Sequence, residues 1–230
     1  MDVYWSIDHK EAIGALRVQT PEPVLKNKGL AEMEYHACPA FRDYYHNVYG
    51  IKSLYTYSLE IDGDKCKADM YNQEFFDSNV NVRSTEQKLL SVKQRVSFIT
   101  DSPSLKMSQE HPCFEDNKFT ESSYVVPGMF DIGKYYRNLD FAFHLKESHN
   151  RVEFDEGDTI YYLRFHTDER VSFKQYFITD RLREYRDMVD DIRMFSVAHN
   201  RPLSYFYGIF KRSNLKSRII KEIKENLVDS

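Results

Sequence analysis

Two histidine–cysteine pairs of identical spacing, His36-Ala37-Cys38 and His111-Pro112-Cys113, are the first residues in the chain with the makings of a chemical site. Imidazole and thiolate are the ligands zinc prefers. In an extended segment residues two apart point the same way, so each pair could chelate and two pairs could close a tetrahedron. The spacing belongs to no common zinc module, and a free cysteine is often a small buried hydrophobe. A second set is His166-Thr167-Asp168, which with His199 has the composition of a two-histidine, one-carboxylate iron site, Arg201 being an anchor for an acidic co-substrate. His199 falls at a helix end only a short distance along, and the triplet reads better as a polar turn.

Cys38 with His46, or Cys113 with His111, pairs a nucleophile with a base. No loop suited to stabilising an oxyanion accompanies either pair. The eight glycines are scattered and form no phosphate-cradling loop, and Asp62 and Asp64 flank a turn where water solvates them. The sequence therefore assigns no catalytic, cofactor-binding or metal-binding residue.

Charge gives a different signal. Lys211, Arg212, Lys216, Arg218, Lys221 and Lys224 crowd one segment that holds a single acid, Glu222. The segment carries +5 in a chain of formal charge −4, which leaves −9 for the remainder. A basic helix on an acidic body can dock an acidic partner, although charged helix faces are most often simply solvated. The expected partner is another protein subunit, because the negative remainder repels a polyanion and disfavours nucleic acid.

These residues need elements to hold them. At 230 residues, 41% hydrophobic and 30% charged, the chain has the make-up of a folded domain. Seventeen tyrosines and sixteen phenylalanines weigh towards pleated, half-buried surfaces. No apolar run reaches the roughly 20 residues of a membrane helix. The N-terminus lacks the basic and apolar regions of a signal peptide, and three cysteines make no disulfide framework, so synthesis in a cytoplasm is expected.

In order, Met1 to Ala31 reads as an irregular lead-in with one short strand, extended around Pro21-Glu22-Pro23. Pro39 starts a helical turn that Gly50 ends. Tyr55, Tyr57, Leu59 and Ile61 alternate, Asp62-Gly63-Asp64 turns, and Cys66, Ala68 and Met70 alternate back as a hairpin. Val92 to Thr100, Tyr124 to Val126 and Asn138 to Leu145 supply strands, and the polar, proline-containing Asp101 to Ser123 reads as a surface loop. Asp155 to Phe177 looks like a central hairpin. Its first arm puts Tyr161, Leu163 and Phe165 on one face and Ile160, Tyr162 and His166 on the other. Its second arm groups Val171, Phe173 and Phe177 opposite Ser172, Lys174 and Tyr176.

After Asp180 the period becomes helical. Leu182, Tyr185, Val189, Ile192 and Phe195, with Met188 beside them, form one face, and Arg183, Arg186, Asp187, Asp190, Asp191 and Arg193 the other. A second helix runs from Leu203 to Leu227 with an irregularity near Ser213-Asn214. The fold class is α+β: a mainly antiparallel, jelly-roll-like β-sandwich over 1–178, then a C-terminal pair of α-helices over 179–230 packed on it as a helical hairpin.

Three segments as a set carry a resemblance: Cys38-Pro39-Ala40-Phe41 on through Asn47 to Ser53, Pro127-Gly128-Met129-Phe130-Asp131-Ile132-Gly133 with Arg137, and the stretch from Asp155 to Phe177. Together they resemble uncharacterised proteins encoded by large, contractile-tailed bacteriophages. The resemblance implies a viral origin and carries over no catalytic residue. The expectation is a non-enzymatic bacteriophage protein, a virion structural or assembly component acting through protein–protein contacts as part of an oligomer or larger assembly. It would be made in the host cytoplasm, with the virion as a second location. The alternatives are a metal-dependent enzyme (zinc or non-haem iron) and a phage modulator that binds a host protein or nucleic acid.

Overall fold

The computed structural model describes residues 1–8, 20–26, 33–69, 73–194 and 201–228, and within them no side-chain description is given for 35 and 192–194. Met70, Phe195, His199 and the Ile192 side chain lie outside the described residues, as do 9–19 and 27–31 of the lead-in. In chain order the elements are β1 (Asp2–Ile7), β2 (Glu22–Pro23), α1 (Pro39–Tyr45), β3 (Val48–Lys52), β4 (Tyr57–Asp62), β5 (Lys65–Ala68), α2 (Gln73–Asn79), β6 (Val80–Ser84) and β7 (Leu89–Ile99). There follow β8 (Lys106–Glu110), α3 (Lys118–Ser122), β9 (Ser123–Val125), β10 (Gly128–Asp131), β11 (Asn138–Leu145), β12 (Arg151–Phe154), β13 (Thr159–Phe165) and β14 (Ser172–Gln175). Three helices close the described chain: α4 (Asp180–Met194), α5 (Leu203–Arg212) and α6 (Leu215–Glu225).

The strands form three sheets, ordered β14-β1-β7-β11-β9 with β6 also on β7, β10-β8-β13-β3-β2, and β12-β4-β5. Every pairing is antiparallel except β1 with β14. One core joins the inward faces: Val3, Trp5, Val92, Phe98 and Phe141 from the first sheet meet Met107, Tyr161, Leu163 and Phe165 from the second and Tyr57, Leu59 and Phe154 from the third. This is an α+β fold built on a β-sandwich-like body. The aromatic residues supply much of that core, with Phe119, Phe141, Phe143 and Phe154 in edge-on and stacked pairs.

The β4–β5 hairpin forms as its Asp-Gly turn dictates, with Ile61 opposite Cys66 and Gly63 at φ +63°. Cys66 packs against the core, and burial pushes its thiol up to about 11. Tyr161, Leu163 and Phe165 do share the core face of β13, and Tyr162 faces away from it, into a small cluster with Val24, Val48 and the α1 side chains Phe41 and Tyr45.

Five expectations are corrected. Asp155 to Phe177 is not a hairpin. Its first arm, β13, pairs with β3 and β8, whereas β14 lies beside β1 in the other sheet, so the polar stretch His166 to Arg170 crosses between layers. Phe177, grouped with the apolar side, is 53% exposed. Asp101 to Ser123 is no surface loop. It holds β8, whose Met107 and Gln109 face the core, and α3, whose Phe119 is fully buried. Gly50 ends no helix, because α1 stops at Tyr45 and Gly50 sits within β3. Among its described residues the lead-in holds two strands where one was expected, the six-residue β1 between β14 and β7 and the two-residue β2 beside β3.

β1 is buried on both sides. Val3 and Trp5 enter the sandwich, while Tyr4 turns to a second apolar layer with Ile99, Tyr136, Tyr176, Leu182, Val189, Phe206, Phe210, Ile219 and Ile223. That layer is how the helices attach to the sheet. Two basic residues of α4 serve the same attachment. Arg183 donates to Asp8 at 3.0 Å, and Arg186 donates to the other Asp8 oxygen. Burial alone would raise the Asp8 carboxyl, but the two guanidinium hydrogen bonds outweigh it and hold it below its ordinary range.

A carboxyl depressed in the folded state stabilises above its unfolded value and loses that contribution as pH falls through the folded value. Asp8→Asn should therefore cost about 2 kcal/mol at neutral pH, the scale of charge-assisted hydrogen bonds. The difference from the unmodified protein should shrink below about pH 4, where carboxylates protonate. Urea unfolding across pH checks this, and an equal difference at all pH values would contradict it.

Candidate functional site

The six basic residues sit on the last two helices, and apolar packing fixes which way those helices face. Phe206 and Phe210 of α5 and Leu215, Ile219, Ile220 and Ile223 of α6 are buried in the helical layer. The irregularity at Ser213-Asn214 is a real break: Asn214 takes a left-handed conformation at φ 55°, and the Ser213 hydroxyl donates to the Phe210 carbonyl at 2.7 Å. Asparagine tolerates that backbone better than most residues. The turn lets α6 restart with its own apolar stripe inward, which leaves Lys211, Arg212, Arg218, Lys221 and Lys224 exposed.

Lys216 is the exception. Its ammonium is drawn inward and donates to the Gly133 carbonyl at 2.6 Å and to the Ser102 carbonyl. Burial lowers its pKa, with the nearby carboxylates of Asp101 and Asp131 opposing. The receiving carbonyls belong to the loop after β7 and the loop after β10, which touch at Gly133. A Cβ there would lie 2.7 Å from the Ser102 oxygen and from the Ser104 Cα, so only glycine allows the approach. Asp131 ties the same loops together. Its carboxylate accepts from the Ser104 hydroxyl at 2.6 Å and from the Leu105 and Gly133 amides at 3.1 Å, and its own amide donates to the Tyr207 hydroxyl of α5. Lys216 thus anchors α6 to the sandwich.

Lys224 donates to Asp101 at 2.9 Å, a bond that raises the lysine and lowers the carboxylate. Lys221 is 3.9 Å from Glu225 one turn on. Glu222, the only acid within the basic segment, turns away to Thr179 and Arg181 of the α4 start. Lys211, Arg212 and Arg218 form no ion pair among the described residues. Two shallow hollows result. One of about 690 Å³ is walled by Lys211, Lys216, Lys221 and Lys224 with Asp101 and Glu225, over Ile220. The other, of about 430 Å³, lies between α4 and α6 and is lined by Arg181, Tyr185, Arg218, Lys221, Glu222 and Glu225. Lys221 and Glu225 line both hollows, with Arg218 on the α4 side, an arrangement whose cations are suited to carboxylates.

The histidine–cysteine pairs occupy neighbouring places for an apolar reason. Phe114, next to Cys113, stacks edge-on against Phe41 and Tyr45 of α1 at 5.7 and 5.3 Å, and His36 lies 6.4 Å from Phe41. Cys38 precedes α1 at its N-cap position, without a side-chain capping bond, and is exposed; Cys113 is exposed with its sulfur 3.6 Å from the Tyr45 hydroxyl. His111 is occupied otherwise: its Nδ1 accepts from the Val125 amide at 3.4 Å, and burial lowers its pKa. Cys38 and His46 stand at opposite ends of α1. His166 Nε2 lies 3.0 Å from the Ser108 hydroxyl, and Asp168 is in the turn that follows β13. Among the described residues no three His, Cys, Asp or Glu side chains are placed to hold a metal ion.

Sequence reading missed a polar row on the outer face of the second sheet. There the Ser108 hydroxyl donates to Glu110 at 2.9 Å, Glu110 pairs with Arg164 at 3.3 Å, and Arg164 stacks over the Tyr44 ring. The alternation Lys106-x-Ser108-x-Glu110 against Arg164-x-His166 carried the signal, but it counts only once 106–110 is read as a strand. No protein-family model matches the chain, and no curated protein matches it either.

Two outcomes are expected. Lys216→Met should cost about 2 kcal/mol, because two carbonyls lose a charged donor, while Arg218→Met on the same helix should stay within about 0.5 kcal/mol; thermal unfolding of the two variants separates them. Purified protein should retain no stoichiometric zinc after gel filtration. Retention that Cys113→Ser abolishes would contradict the second.

Proposed function

We propose that the chain is a non-enzymatic assembly component that works through protein–protein contacts, with the outward face of α5 and α6 as its docking surface for an acidic protein. The observation that carries this reading is the division of labour among the six basic residues. Lys216 is committed to holding the helix, and Lys224 is tied to Asp101, whereas Lys211, Arg218 and Lys221 line the two hollows and Arg212 is exposed. The resemblance to proteins of large tailed bacteriophages supplies a setting, a virion or its assembly line. A net charge of −9 outside the basic segment supports a protein partner over nucleic acid, because a long polyanion crossing this face would also run over acidic surface.

Charged rims of this kind chiefly set encounter rate and specificity, and their effect falls with salt. Arg218→Glu with Lys221→Glu should leave the melting temperature unchanged. It should weaken binding to a folded acidic probe protein at least tenfold at low salt, with added salt weakening the unmodified protein in the same way. Duplex DNA should bind less tightly than the acidic protein. Titration of both probes at two salt concentrations tests this. Tighter binding of DNA, or indifference of the acidic probe to the reversals, would overturn the reading.

A further inference from the structure

Strand register fixes where the charged surfaces lie relative to each other. β13 runs from Thr159 to Phe165, with Tyr162 opposite Glu110 and Phe165 opposite Met107 of β8. The loops at the Phe165 end include 101–105 and 132–137, which receive α6 through Asp101, Ser102 and Gly133. The loops at the Thr159 end are 111–117 and 155–158, and they carry acid. Asp116, Asp155 and Glu156 are exposed there, and Asp158 shares the same turn through a 2.9 Å bond from the Asp155 amide. A cleft of about 790 Å³ opens between these loops, bounded by Glu22, Glu115, Asp116 and Asp158 with Lys26 and Lys52 as its cations. Lys52 is already engaged by Glu22 at 3.3 Å, so the cleft is negative on balance. The loops that receive α6 and the acidic loops thus lie at opposite ends of β13, which spans about 20 Å over seven extended residues.

We propose that the occupant of the basic face is the acidic end of a second copy of this chain, so that copies associate head to tail. The proposal rests on the docking reading above and names its partner. Charge complementarity argues for this occupant: the exposed guanidinium and ammonium groups of Arg218, Lys221 and Lys211 are opposite in sign to the exposed carboxylates of Asp116, Asp155 and Glu156. Placement argues for the geometry. A patch that meets a different patch on its neighbour either pairs twice across a two-fold axis, each basic face on the other copy's acidic end, or repeats in one direction as a ring or filament. The acidic turn is suited to the task because Ser53 holds its backbone. The Ser53 amide donates to the Asp158 carbonyl at 2.8 Å and the Ser53 carbonyl accepts from the Gly157 amide at 3.0 Å, which leaves the Asp155 and Glu156 side chains outward.

Sedimentation velocity across a concentration series tests this with two reversed variants of the full chain. One is Arg218→Glu with Lys221→Glu; the other is Asp155→Lys with Glu156→Lys. Unmodified protein should gain mass with concentration at low salt and return to monomer at high salt. Each variant alone, shown folded by an unchanged melting temperature, should associate at least tenfold more weakly. An equimolar mixture of the two should associate again, since each now carries two ends of one sign and the signs are opposite. Unmodified protein that stays monomeric throughout, variants that associate undiminished, or a mixture that stays monomeric would each overturn the proposal. If the acidic probe protein still binds in a way the Arg218 and Lys221 reversals abolish, docking stands and only self-association falls; if neither occurs, both fall.

Discussion

The burial of β1 on both faces is the constraint on which the rest of the structure depends. A six-residue strand at the N-terminus gives Val3 and Trp5 to the sandwich and Tyr4 to the helical layer, so neither layer is complete without it. Its neighbours on either side come from far along the chain: β7 on one side and the parallel β14 on the other. The buried hydroxyls of Ser97, Tyr136 and Tyr176 are satisfied by one another between the layers, since Ser97 and Tyr176 share a 2.8 Å bond and Tyr176 donates onward to Tyr136. Just beyond β1, Asp8 then fixes the near end of α4 through two arginines.

That attachment determines what the last helices can offer. Their apolar stripes are consumed by the layer over β1, and Lys216 with Tyr207 pins them to the loops that Gly133 and Asp131 hold together. What the basic segment leaves outward is mostly cation, on helices anchored to the loops at one end of the strands. The acidic turn at the other end is equally braced by Ser53. A charged face on a fixed element presents its charges without first having to order them, which favours specific docking over loose attraction.

Much of this was legible in the sequence, and the failures have physical causes. Alternation in β4, β7, β11 and β13 and the helical period after Asp180 gave elements and faces, because one side of each is consumed by a core. The Ser213-Asn214 break was visible because asparagine tolerates the left-handed backbone that Asn214 adopts. The false hairpin at Asp155 to Phe177 arose because alternation reports a face and never a partner; the loop length allowed a hairpin, and β14 found β1 instead. β8 was hidden by Pro103 and Pro112 at its borders and by core-facing Gln109, whose amide is satisfied by the Asp140 carbonyl at 3.2 Å. As for the candidate site, the six basic positions were plain, but the inward turn of Lys216 depends on two distant loops meeting at Gly133, a contact no local pattern encodes.

The central claim is that cations of α5 and α6 meet carboxylates of another copy, and zero-length cross-linking reads that contact directly. Carbodiimide joins an ammonium to a carboxylate only when the two touch. Applied to an equal mixture of light and heavy-isotope protein, it marks links between copies by their mixed mass. The account predicts mixed-isotope peptides joining Lys211 or Lys221 to Asp116, Asp155 or Glu156, abolished by high salt. Links confined to single copies, such as Lys224 to Asp101, with no mixed species from the α5 and α6 lysines, would contradict it.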